Sequence, residues 1–87
     1  MKLHPNSELS VRKIDNEIFI YDRQRTLIHT FNDTGAFLWN LLEEGFSAEE
    51  MIFRITEEYE IDAQSAASDI ASFLDAIRKL GLAEEVE

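Results

Sequence analysis

The chain offers few residues whose types and spacing could do chemistry. His4 and His29 stand 25 residues apart, and neither has a carboxylate at metal-ligand spacing. His29 alternates with Leu27 and Phe31, which reads as a half-buried strand residue. Carboxylates occur in pairs, Glu43/Glu44, Glu49/Glu50 and Glu57/Glu58, but each pair falls mainly on the polar face of a helical stretch. A solvated face explains them better than acid–base work does. Ser47 has no base to activate it and opens the run Ser47-Ala48-Glu49-Glu50, which has the pattern of a helix-capping box. Gly35, Gly45 and Gly81 are too scattered to cradle a phosphate. There is no cysteine, so disulfides and thiolate metal sites are excluded. The expectation is a protein with no catalytic residue, no metal site and no cofactor, which works through a surface.

Composition narrows the kind of surface. At 87 residues there is room for one domain with one modest core, so residues 1–87 are expected to fold as a unit. The chain is 45% apolar, with one Trp, two Tyr and six Phe, too rich for intrinsic disorder. Apolar runs are only a few residues long, far short of the roughly 20 that span a bilayer, and the N-terminus lacks a signal peptide's apolar region. A cytoplasmic protein without a membrane partner is expected. The net charge is −10. Residues 1–33 carry five basic and five acidic groups and are neutral, so the whole excess falls on residues 34–87. Such a field repels phosphate backbones, and no nucleic-acid partner is expected.

The elements that would build the surface fall in two blocks. Residues 1–7 read as a loose, flexible arm. Three β-type runs follow at 8–14, 17–22 and 25–31. Leu9 and Val11 share a face of the first. The second, Glu-Ile-Phe-Ile-Tyr-Asp, is apolar on both faces and suits a central strand. The third puts Leu27, His29 and Phe31 on one face and Thr26, Ile28 and Thr30 on the other. Asp15-Asn16 is a suitable two-residue hairpin turn, and the short loops predict a three-stranded antiparallel meander in sequential order.

Three helices are predicted next. The first starts at Asn32 or Asp33, either of which can cap it, ends by Gly45, and buries Phe37, Leu38, Leu41 and Leu42. The second follows the capping box with an apolar stripe of Ala48, Met51, Ile52, Ile55 and Tyr59. The third is capped by Asp62 and stopped by Gly81. Its apolar face, which includes Ala63, Ala66, Ala67, Ile70, Phe73, Leu74, Ile77 and Leu80, covers about 140° at 100° per residue. That is wide for one neighbour and predicts contact with the core and with something else. Two aromatics stand off pattern. Trp39 is expected to pack against the sheet or the third helix. Phe53 lies about 150° from the centre of its helix's stripe and is either an isolated exposed residue or a partner-docking point.

The join between the two blocks carries a resemblance. Phe31-Asn32-Asp33-Thr34-Gly35-Ala36-Phe37-Leu38-Trp39-Asn40-Leu41-Leu42, then Gly45, then Ser47-Ala48-Glu49-Glu50-Met51, resembles the pattern Leu-Asn-x-Thr-Gly/Ala-Ala-x-Ile-Trp-x-Leu-Leu, Gly, Thr-x-x-Glu-Ile of the PqqD family, also called RiPP recognition elements. That family's closing pattern resembles Asp69-Ile70-Ala71-Ser72-Phe73-Leu74-Asp75-Ala76-Ile77-Arg78-Lys79-Leu80-Gly81-Leu82. The resemblance covers about residues 8–82, with Phe31 in place of Leu and Phe53 in place of a small residue. It implies an α+β, winged-helix-like domain of three antiparallel strands followed by three α-helices. It also implies a peptide chaperone that binds the leader of a ribosomally made precursor peptide and presents it to a modifying enzyme, often a radical S-adenosylmethionine (radical SAM, SPASM-type) protein.

The residues allow a physical route to that role. The third strand of a sequential meander is an edge with unpaired N–H and C=O groups, able to accept a peptide as a fourth strand. Thr26, Leu27, Ile28, His29 and Thr30 are the expected strand contacts. Ala66, Asp69, Ile70, Phe73, Leu74 and Ile77 are the expected helix contacts, with plain core as the alternative for Ile70, Leu74 and Ile77. Two other readings remain: a small structural or dimerising subunit using Phe53, and a winged-helix DNA binder. The last is disfavoured because only Arg78 and Lys79 are basic on the third helix.

Overall fold

A computed structural model describes residues 2–86. Strand β1 is Lys2–Pro5, β2 Leu9–Ile14, β3 Glu17–Asp22 and β4 Leu27–Phe31. Helices α1 (Asp33–Glu43), α2 (Ala48–Glu58) and α3 (Ala63–Lys79) follow, then a last strand β5, Ala83–Val86. The main sheet is antiparallel in the order β2-β3-β4. Its first turn is the two-residue Asp15-Asn16 hairpin, with Asp15 at φ 55°, a conformation Asp tolerates. Alternation along β3 buries Ile18 and Ile20 under the helices and turns Phe19 and Tyr21 outward. On β2 the inward face ends with Lys13, whose ammonium donates to Glu43 Oε1 at 2.7 Å, pinning the sheet to the end of α1.

The helices form where the caps and stripes predict. Asn32 is the N-cap of α1; its carbonyl accepts from Ala36 N–H at 2.7 Å, but its side chain makes no capping bond. Ser47 and Glu50 form the full capping box of α2, and Asp62 Oδ1 accepts the Ser65 N–H at 2.8 Å to cap α3. Gly81 at φ 78° ends α3, a position that favours glycine. Trp39 is fully buried, its ring 5.9 Å from that of Phe31 on β4, so it packs on the sheet as expected. Phe37 is only half-buried and meets Tyr59 edge-on at 5.5 Å.

The arm expected to be loose at residues 1–7 is ordered over residues 2–5. Residues 2–5 form β1, which pairs antiparallel with β5 from Lys2↔Val86 to Pro5↔Ala83. Leu3 on one strand, with Leu82 and Ala83 at the other, is buried in the common core. Asn6 fastens the corner: its N–H donates to Leu82 O at 2.9 Å and its side-chain amide to Gly81 O at 3.2 Å. One apolar residue beside a proline gives no local strand signal, and the pairing partner lies at the opposite end of the chain. The same ribbon accounts for part of the breadth of α3, which packs on α2 and on β5. No helix among the described residues is long and apolar enough to cross a membrane.

Candidate functional site

Strand β4 is the open edge of the main sheet, because β3 pairs with one side of it and β5 pairs with β1 instead. Natural edges are usually blunted by proline, charge or a bulge. The sequence of β4, Leu-Ile-His-Thr-Phe, has neither proline nor charge, and its register with β3 is unbroken from Ile18↔Phe31 to Asp22↔Leu27. Ile28 and Thr30 turn to the outer face, where Ile28 is 69% exposed beside its cross-strand partner Tyr21. Leu27, His29 and Phe31 turn towards the helices. Phe31 and His29 are half-buried there, whereas Leu27 remains 48% exposed. The His29 Nε2 is buried without a hydrogen-bond partner among the described residues.

Two contacts lay α3 alongside this strand. The Phe73 ring meets Phe31 at the end of β4, 5.5 Å away and edge-on. At the other end, the Arg25 guanidinium lies over Gly81, so close that a Cβ there would sit 2.6 Å from Arg25 Nη1. The last two turns of α3 therefore run antiparallel to β4. Residues 69, 73, 76 and 80 share one margin of the helix at i, i+3/i+4 spacing. Asp69 and Ala76 are exposed, Phe73 is half-buried and Leu80 is 44% exposed. Leu27 and Leu80 lie at the same end of the channel, and each leaves much of its side chain uncovered.

Asp22 sets the turn that launches the edge. Its carboxylate is nearly buried; Oδ1 accepts the N–H groups of Gln24 (3.0 Å) and Arg25 (3.2 Å), and Oδ2 accepts from Arg25 Nη1 at 3.0 Å. The Arg25 guanidinium, foremost, and these backbone donors hold the carboxyl below the usual carboxylate range, against the opposing pull of burial. Asp22 thus fixes Arg25, and Arg25 covers Gly81, so the β3–β4 turn and the end of α3 are clamped together.

The expected site residues distribute unevenly over this channel. Leu27, Ile28, His29 and Thr30 lie on the edge strand. Thr26 does not; it belongs to the turn Arg23–Thr26, at φ 55°, because the Asp22-anchored turn takes four residues. Phe73 lies on the α3 margin that meets β4, and Asp69 is exposed one turn before it, beyond the Phe31 end of the strand. Ala66, Ile70, Leu74 and Ile77 are buried in the core, so they brace the wall from behind and present little surface to a ligand. Sequence reasoning did not name Ala76 or Leu80 as ligand contacts, although Leu80 stood in the predicted apolar face. Their signal was positional: they sit on the outer margin of the stripe, on the Phe73 side. Phe53, on α2, is 63% exposed and lies outside the channel. A separate cleft of about 380 Å³ opens between the Asp15-Asn16 hairpin and α1, walled by Phe37 and Tyr59.

The basic residues of α3 are already engaged. Arg78 donates to Asp75 at 2.9 Å and Glu85 at 3.0 Å, and Lys79 lies 2.9 Å from Asp75. Lys79 first, then Arg78, holds the Asp75 carboxyl below its ordinary range. No group of three His, Cys, Asp or Glu suited to a metal ion occurs among the described residues.

A domain of three antiparallel strands and three helices, with a bare sheet edge walled by the last helix, has the architecture of a winged-helix-like binding module. Residues 17–83 match the family model for coenzyme PQQ synthesis protein D (PqqD), and the chain belongs to that family. Two solved structures share the fold over essentially the whole chain. TbiB1 in complex with the TbiA(β) leader peptide is 29% identical with a TM-score of 0.91, covering 100% of this chain and 99% of that one. Lasso peptide synthetase B1 complexed with the leader peptide is 26% identical with a TM-score of 0.89, covering 98% of this chain and 100% of that one. No curated protein matches significantly.

Proposed function

We propose that this protein is a non-catalytic peptide chaperone that binds the leader segment of a ribosomally made precursor peptide and presents it to a modifying enzyme. The observation that carries the reading is the bare edge of β4, uncharged, proline-free and bordered by the apolar margin of α3. A leader entering as a fourth strand would bond to the free main-chain groups of β4, each bond worth about 0.5–1.5 kcal/mol net. Alternate side chains would settle against Leu27, Phe73, Ala76 and Leu80, and apolar leader residues suit those positions. Asp69, exposed on the same margin, suits a basic leader residue. The leader-peptide complexes of the two similar structures support the same reading.

The enzyme served is the finer part of the proposal. The fold match to lasso peptide synthetase B1 spans the chain and favours a lasso-type synthetase. The PqqD resemblance favours a radical SAM enzyme as the second reading. DNA binding is disfavoured by the pairing of Arg78 and Lys79 with acidic neighbours on a chain of net charge −10.

The test is titration with synthetic leader segments of any short precursor frames found near the gene for this chain, followed by amide chemical shifts. Saturable binding is expected, with shifts concentrated in Leu27–Phe31 and the last two turns of α3. Introducing a charge in the channel with Leu80→Glu should lower affinity at least tenfold. Absence of binding at about 100 μM, or shifts confined to another face, would overturn the reading.

A further inference from the structure

A second surface lies on α2, away from the channel. The helix buries Met51 and Ile55 against the core, and its opposite side carries Phe53, more exposed at 63% than any other large apolar side chain on a helix. Phe53 does not stand alone. With Phe46, Glu49, Glu50 and Arg54 it lines a shallow cleft of about 340 Å³. The Arg54 guanidinium already lies over the Phe46 ring, 5.2 Å from its centroid. The cleft thus accommodates one guanidinium on an aromatic face, and Phe53 offers a second face.

The charges around the ring decide what fits it. Glu50 is committed to the Ser47 N–H at 2.8 Å, and Lys2 lies near enough to favour its ionised form. Glu49 and Glu57, one turn before and one turn after Phe53, make no ion pair among the described residues. Residues 34–87 carry the whole −10 of the chain. A second copy docked about Phe53 would set Glu49 of each against Glu57 of the other, and with Arg54 the one cation lining the cleft the carboxylates stay in excess, which is unfavourable. A surface bearing Lys or Arg beside an apolar side chain would pair with these carboxylates and stack on Phe53.

We infer that the Phe53 face of α2 is the docking site for a basic surface of the enzyme that acts on the bound precursor. The inference rests on the chaperone reading and adds where the enzyme sits. Occupying α2 leaves the β4–α3 channel open, so leader and enzyme are held at once on different faces.

The experiment uses the full chain, a synthetic leader that it binds, and a candidate lasso-type or radical SAM modifying enzyme purified separately. Titration calorimetry is run on the wild type, Phe53→Ser and Glu49→Lys, with circular dichroism to verify folding. Leader affinity should stay within twofold in all three proteins. Enzyme affinity should fall about tenfold or more in Phe53→Ser and several-fold in Glu49→Lys. Raising salt from about 50 to 300 mM should weaken the wild type more than Glu49→Lys. Wild-type enzyme affinity in both variants, with leader binding intact, overturns the docking site alone. A wild-type dimer that Phe53→Ser dissolves in sedimentation overturns it in favour of a second copy. Finding no leader that the wild type binds removes the chaperone reading, whereas Phe53-dependent enzyme binding would still stand.

Discussion

Proline scanning of β4 tests the strand-addition argument at single-bond resolution. Successive amides along a strand point to opposite edges, so of Ile28 and His29 one donates to β3 and the other faces the open side. Proline at the β3-facing position removes a ladder bond and leaves a carbonyl of β3 unpaired, a loss of about 1–3 kcal/mol. For a chain of this size that lowers the melting temperature by about 4–8 °C per kcal/mol. Proline at the outward position removes no bond within the protein, and stability should change little. It does remove one donor to the incoming leader, about 0.5–1.5 kcal/mol, and its ring obstructs close approach of a fourth strand, so affinity should fall tenfold or more. His29 is also half-buried, so His29→Ala serves as the control for its side chain. Melting curves and leader titrations on Ile28→Pro, His29→Pro and His29→Ala give the full comparison. The reasoning is refuted if the better-folded proline variant binds leader as tightly as the wild type.

Three further outcomes are expected. Phe73→Ala should weaken leader binding by about 1–3 kcal/mol; unchanged affinity with lowered stability would assign the ring to the core through its contact with Phe31. Gly81→Ala should lose about 1–2 kcal/mol from the left-handed backbone and displace the Arg25 guanidinium, and a melting point within 1 °C of wild type would contradict this. Asp22 has a depressed carboxyl in the folded state, so its contribution is present above the unfolded value and lost as pH falls through the folded one. The stability gap between wild type and Asp22→Asn should therefore be full at about pH 6–7 and shrink below about pH 4; a constant gap in acid denaturation would exclude the ionic role.

What the sequence reveals here depends on how local the cause is. Strand β3 spans Glu17–Asp22 because period-two alternation and flanking turn residues are written into adjacent positions. The caps at Ser47 and Asp62 are equally local, since each side chain bonds an amide three residues on. The β1–β5 ribbon was illegible because Leu3 finds its register against Glu85, across nearly the entire chain. The edge position of β4 followed from short loops. The composition of the opposite wall did not, because a stripe fixes which residues are apolar, not which margin meets the sheet. Ala66, Ile70, Leu74 and Ile77 lie at its buried centre, and only the Phe31–Phe73 and Arg25–Gly81 contacts show that Ala76 and Leu80 lie on the channel side. Thr26 reads as a strand residue by type, yet Asp22 draws it into the turn.

The pairing of Lys2 with Val86 brings both ends of the described chain to one corner, about 5 Å apart between Cα atoms. A host protein could splice this fold into a surface loop with scarcely any widening of that loop. A fluorophore or affinity handle attached beside Lys2 or beside Val86 would depart from nearly the same spot. Linking the extremities and reopening the backbone at the Asp15-Asn16 hairpin gives a circular permutant whose strand register would be unaltered.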